Sequence, residues 1–184
     1  MKNIFSILTL MISCTAFSQV VISGATGTAT DNTSVLLDFA PGQNKGIILP
    51  YVTTMPSGAA LTEGTIVLDA SNPAKAKVKF YNGTASWFDL SNGHEANISS
   101  AMTIQPTAAN VTENTAAKTI IGSNSSPADG VLVLESATKA MILPIVSKTD
   151  DVPDPAPGMM VYINKAGAKR LAVYNGEGWT YWKP

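Results

Sequence analysis

The sequence predicts an all-β protein built from two tandem, short, β-rich repeat modules. Three observations point there. First, one stretch occurs twice, about 94 residues apart, the mark of a repeat architecture. Lys45-Gly46-Ile47-Ile48-Leu49-Pro50-Tyr51-Val52 returns as Lys139-Ala140-Met141-Ile142-Leu143-Pro144-Ile145-Val146. Gly64-Thr65-Ile66-Val67-Leu68 lines up with Gly158-Met159-Met160-Val161-Tyr162, and Phe80-Tyr81-Asn82-Gly83 … Trp87 with Val173-Tyr174-Asn175-Gly176 … Trp179. Second, Lys75, Lys77 and Lys79 alternate with Ala76, Val78 and Phe80, a strict period of two. Such a period places ammonium groups on one face of a strand and apolar groups on the other. Third, Thr, Val, Gly, Asn and Pro recur throughout, which disfavours helix, and no long amphipathic helical period appears beyond the first residues.

Taken in order, residues 1–18 read as a secretory signal peptide. Lys2 supplies the positive end, and Ile4 to Ala16 is apolar but too short to span a bilayer comfortably. Ala16-Phe17-Ser18 sets cleavage before Gln19. Met11-Ile12-Ser13-Cys14 offers a rival reading as a lipoprotein box, with Met11 in place of the leucine usual there. Either way the protein is expected to be exported, to the extracellular space or the outer cell surface. No later apolar run is long enough for a membrane-spanning helix. Cys14 is the single cysteine, so the exported chain is expected to carry neither disulfide nor reactive thiol.

Residues 19–33 form a lead-in, 34–91 the first module, 92–129 a connector, and 130–184 the second module. Each module opens on a short apolar strand, Val35-Leu36-Leu37 or Val131-Leu132-Val133-Leu134. Each continues with a run that stops at proline, Ile47-Ile48-Leu49 at Pro50 and Met141-Ile142-Leu143 at Pro144, because proline lacks the N–H that a central strand donates. A hairpin closes each. Asn82-Gly83 and Asn175-Gly176 supply the backbone freedom its turn demands. Leu171 and Val173 take the inward places of Val78 and Phe80. Trp87 and Trp179 hold the same place beside the turn and are expected, with Phe80, Val173, Pro50 and Pro144, to form the structural core.

One module is about 55 residues without a disulfide, and a lone core of that size rarely supplies more than a few kcal/mol. Each module therefore needs a neighbour for its apolar face and its strand edges. The modules either pack on each other or pack with modules of other chains around an axis, giving a rod; the rod is preferred. The net charge of −1, with charged residues at only 14%, excludes the basic stripe that nucleic acid binding requires.

Chemistry has few candidates. His94 is the only histidine, so zinc or triad chemistry lacks parts, and it reads as an exposed linker residue. Asp150, Asp151 and Asp154 match no standard calcium loop and read as a solvated turn. Gly24 and Gly27 form no phosphate loop, and no nucleophile elbow is visible. No catalytic, cofactor-binding or metal-binding residue is assigned. Tyr181 and Trp182 lie beyond the duplicated register and are the candidates for a partner or glycan contact, since amphipathic rings suit interfaces.

The order of parts resembles repeats of exported Bacteroidota surface proteins and of tail-fibre-like proteins. In those, Leu-x-Pro-Arg-Met precedes Gly-Leu-x-Val-Tyr-Asn, and Tyr-Asn-Gly-x-x-Trp closes the unit. Leu49-Pro50 and Leu143-Pro144 match the first block, although Tyr51 and Ile145 stand where arginine is usual. Gly158, Val161, Tyr162 and Asn164 match the second, Gly64 and Val67 partly. The third is matched by Tyr81-Asn82-Gly83 with Trp87 and by Tyr174-Asn175-Gly176 with Trp179. The resemblance implies an extracellular β-structured fibre or surface module, often trimeric, without catalytic activity. The expectation is a non-enzymatic, exported structural or adhesive surface component. It would self-associate, with a trimer favoured, as intertwined or packed modules of a fibre. A cell-surface glycan-binding module is the alternative. Other surface proteins or glycans are the further partners to be considered.

Overall fold

The computed structural model describes residues 19–183 except 60, 85, 107–110, 113 and 115. The signal-peptide and Cys14 readings therefore lie outside the described residues. The fold is almost entirely β and solenoid-like. Fourteen short strands are present among the described residues. The first seven are β1 (Val20–Ile22), β2 (Val35–Phe39), β3 (Ile47–Ile48), β4 (Tyr51–Val52), β5 (Ile66–Asp69), β6 (Lys77–Tyr81) and β7 (Trp87–Asp89). The other seven repeat them: β8 (Thr119–Ile121), β9 (Leu132–Leu134), β10 (Ala140–Met141), β11 (Ile145–Val146), β12 (Met159–Ile163), β13 (Arg170–Tyr174) and β14 (Trp179–Trp182). A single turn of helix, α1 (Ser99–Met102), follows β7.

The two sets pair alike. β1 lies parallel to β2 and β8 parallel to β9. β4 lies parallel to β5 with Tyr51 opposite Leu68, and β11 parallel to β12 with Ile145 opposite Tyr162. Each unit then ends in an antiparallel meander, β5-β6-β7 or β12-β13-β14. The structural repeat is thus longer than the duplicated text. The lead-in supplies β1 to unit one, and the end of the connector supplies β8 to unit two. Strands of three residues carry too little period to be read ahead of their partners.

The alternating lysine strand forms as the sequence suggests. Ala76 and Val78 are fully buried on one side of β6. On the other, Lys77 and Lys79 reach carboxylates of the neighbouring strands. Gly83 and Gly176 have φ of +83° and +118°, in the left-handed region that glycine tolerates without strain.

Two further pairings cross between the units. β3 of unit one adds antiparallel to β12 of unit two. β10 of unit two adds parallel to β2 of unit one. The Leu-Pro step is where each arm changes sheet: β3 lies in the sheet of β12, and β4, just past Pro50, lies in the sheet of β5. The proline carbonyls make the same bond in both units, Leu68 N–H to Pro50 O at 3.0 Å and Tyr162 N–H to Pro144 O at 2.9 Å. Pro144 is buried but Pro50 is exposed. The contribution of Pro50 is therefore this backbone bond and a stop to β3, rather than the core packing expected from sequence.

The modules pack on each other within one chain. One core joins Leu68, Ala70, Ala76, Val78, Leu90, Ala96 and Ile98 of the first half to Met160 and Val173 of the second. Burying an aliphatic side chain of this size contributes about 1.5–3 kcal/mol. The connector starts as part of this core: Ala96 bridges Ala76, and Ile98 is 2% exposed. A smaller core lies on the opposite face of β12, around Val146, Val152, Met159, Val161, Ile163 and Ala172. Asp38 is fully buried in β2 and ties down the lead-in, accepting from the Ala29 amide at 3.0 Å and the Phe39 amide at 2.7 Å.

Candidate functional site

The junction between units is polar at its centre. The Leu90 carbonyl, just past β7, accepts the Thr180 hydroxyl at 2.7 Å and the Trp182 indole N–H at 2.8 Å. Beside it, the Asn175 side-chain amide donates to the His94 carbonyl at 3.0 Å. Trp182 packs edge-on against Phe88, with ring centroids 5.5 Å apart. The β13–β14 pairing runs on through Leu171 and Trp182, as Leu90 runs on from β7 by bonding Val78. Tyr181 and Trp182 therefore continue the repeat register, contrary to the sequence reading, and correspond to Asp89 and Leu90.

The two candidate contact residues have different surroundings. Trp182 is half-buried and turned onto unit one. Tyr181 is 46% exposed, with the Arg170 guanidinium 4.5 Å over its ring and its hydroxyl 3.1 Å from that of Thr149. Trp87 and Trp179 lie at half-buried positions, each against the tyrosine opposite, Tyr81 at 5.6 Å and Tyr174 at 5.2 Å. Of the remaining expected core residues, Val173 is fully buried and Phe80 packs at the edge of the main core.

The duplicated turns also differ. Asn82 is exposed and its side-chain oxygen accepts from Thr84. Asn175 is 1% exposed and its oxygen accepts the Glu177 and Gly178 amides, both at 3.0 Å. Connector residue Ile98 closes over Gly176, where an added Cβ would come within 2.6 Å of it. A cleft of about 270 Å³ opens here, lined by His94, Glu95, Asn175, Glu177, Gly178, Trp179 and Thr180. His94 itself is exposed.

Charges on the outer face of β6 form a ladder. Lys79 bonds Asp69 at 2.7 Å, Lys77 sits 3.7 Å from Asp89 and 3.6 Å from Glu95, and Lys75 lies 3.1 Å from Glu95. Burial pushes the Asp69 carboxyl up, but hydrogen bonds from Lys79 and Ser71 outweigh it and hold the group below its ordinary value. The Asp150 cluster is a 3₁₀ turn whose partner is Lys148, at 3.9 and 3.8 Å from Asp150 and Asp151. Among the described residues no group of three or more His, Cys, Asp or Glu is placed to hold a metal, and no helix is long and apolar enough to cross a membrane.

The largest chemical feature left over is apolar edge. β2 is flanked by β1 and β10, and Val35, Leu36 and Leu37 are at most 5% exposed. Among the described residues its counterpart β9 pairs only with β8, and Val131 is 69% and Leu132 50% exposed. On β3, Ile48 is 53% exposed. Apolar strand edges of this kind are templates for another chain. What the geometry defines is a β-structured, two-repeat scaffold with uncovered apolar strand residues.

Comparison with known proteins adds to this. Residues 120–184 match the family model of the phage tail like trimerisation region. That span coincides with unit two, β8 to β14, and unit one repeats the same strand order. No curated protein and no solved structure matches the chain.

Proposed function

We propose that the protein is an exported, non-enzymatic structural component that self-associates into a trimeric, fibre-like assembly at the cell surface, where it serves in adhesion. The observation that carries this reading is the match of unit two to a trimerisation region. The uncovered apolar edges of β9 and β3 support it, since a chain that stayed single would leave them in water. Sedimentation and native mass measurement of the exported protein test it. The expected result is a particle of three chains, each beginning at Gln19. A monomer at micromolar concentration would remove the assembly reading.

Glycan binding is the second reading, and the exposure of Tyr181 favours it. The Arg170 guanidinium over that ring adds donors suited to sugar hydroxyls. Tyr181→Ala is expected to abolish retention on immobilised surface glycans while leaving the particle mass unchanged. Equal retention of both proteins would exclude it.

A further inference from the structure

We propose that copies of the chain join head to tail through the same two strand pairings that join its units internally. This rests on the self-association reading above and names the surfaces involved. The arm of each unit has two sides. In unit two, the Ala140 and Ile142 amides donate to β2, at the Ser34 and Leu37 carbonyls, 2.8 and 2.9 Å away. In unit one, the Leu49 amide points to β12, so by strand alternation the amide of the equivalent Ile48 points to the other side of β3, and no strand pairs with that side among the described residues. Conversely, Leu49 donates to the Gly158 carbonyl at 3.1 Å on the β12 side. By the same alternation the amide of its equivalent Leu143 points to the side of β10 away from β2, which no strand occupies among the described residues. Each arm thus uses one side and leaves open the side that the other arm uses.

The missing partners are also present on the chain. The open side of β3 has the geometry that fits the outer edge of a β2-type strand, and β9 is such a strand with no partner on its outer edge among the described residues. The Val131 carbonyl and the Glu135 amide both turn to β8, so the amides and carbonyls of Leu132 and Leu134 point outward. The open side of β10 fits the edge of a β5-type strand near Gly64, and on the side of β5 away from β6 the described residues supply only β4, opposite Leu68 and Asp69. Unit two of one copy therefore complements unit one of the next. Transferring the internal register places Ile47 of one copy opposite Leu132 of another, as Met141 stands opposite Leu37. The exposed Ile48, Val131 and Leu132 would then be covered together. Such a contact joins unlike surfaces, so it closes into a ring where the rotation permits, three copies giving the trimer, and otherwise grows as a filament.

Cysteine pairing tests this in a Cys14→Ser background, which contains no other thiol. Ile47→Cys and Leu132→Cys chains, co-expressed and oxidised, are expected to give a covalent dimer that neither gives alone. The double variant is expected to give a covalent closed trimer. Leu132→Pro supplies a readout free of cysteine chemistry. It removes an amide from the open edge and none from the β8 ladder, so β content by circular dichroism should hold while sedimentation drops to one chain. An oligomer that forms no cross-link and is unchanged by the proline overturns the strand-pairing proposal and leaves self-association standing. A wild-type monomer overturns both.

Discussion

A single backbone oxygen, that of Leu90, accepts from two side chains of the other unit, Thr180 and Trp182. Trp182→Phe keeps a ring against Phe88 and removes the N–H, which should cost about 0.5–1.5 kcal/mol. Trp182→Ala removes the ring as well and should cost about 3 kcal/mol, the low end for a tryptophan because this one is only half-buried. Thermal unfolding of the two variants measures the difference. Asp69 sets an acid limit on the β6 ladder. Its carboxyl is held below the ordinary 3.8 in the folded chain, so the folded form gives up the proton more readily than the unfolded one. The stabilisation is therefore full above that ordinary value and is lost as pH falls through the lower folded value. The stability difference between the wild type and Asp69→Asn should be constant near neutrality and shrink below about pH 4 in urea titrations. The partners of Trp182 were not legible in sequence. Which way an aromatic near a chain end turns depends on a carbonyl 92 residues away, and no local pattern encodes that.

At the scale of elements, the hairpins were the most legible part. Alternation over Lys75 to Phe80 and a glycine in the turn are local signals, and local signals suffice for an antiparallel pair. The parallel pairing of β1 with β2 and of β8 with β9 was not legible: the second strand of each pair was read, but β1 and β8, three residues each and joined to it through long loops, have neither period nor turn chemistry. The equal turns also concealed unequal surroundings. Asn82 faces water, whereas Asn175 is closed in by the connector. Asn175→Ala should leave the Glu177 and Gly178 amides and the His94 carbonyl without their partner, costing about 2–3 kcal/mol, while Asn82→Ala should cost under about 1 kcal/mol. Chemical denaturation of both variants compares them directly. Asp38 in β2 escaped the sequence reading altogether. A carboxylate inside an apolar run gives no sign of whether a loop will come back to donate to it.

Across the whole molecule, one core spans both units, so the need for a neighbour inferred from module size is met first inside the chain. Met160 and Val173 of unit two pack against Leu68 and Val78 of unit one, and both crossing ladders tie the same two halves. The full chain should unfold in one cooperative transition. Residues 119–184 alone, which expose the inner faces of β12 and β13, should show a broad transition with weak amide protection in hydrogen exchange. A sharp calorimetric peak for that fragment would contradict the shared core. The duplication itself was plain in the text, but its consequence, that each arm serves the other unit, was not, because strand partners distant in sequence leave no trace in composition.

The arm that changes sheets at its proline carries an evolutionary consequence. The two units differ in length in the loop before the arm, in the loop before β6 or β13 and in the hairpin turn, unit two being the shorter at each. From Lys45 to Asp69 and from Lys139 to Ile163, not one residue has been gained or lost. An insertion within the arm itself, β3 to β4 or β10 to β11, would turn amides that face one neighbour toward the other, spoiling two ladders in one event. Lineages of this gene are free to drift in their loops or to copy whole units, and so to change the reach of the product, but the spelling of the arm can change only letter for letter.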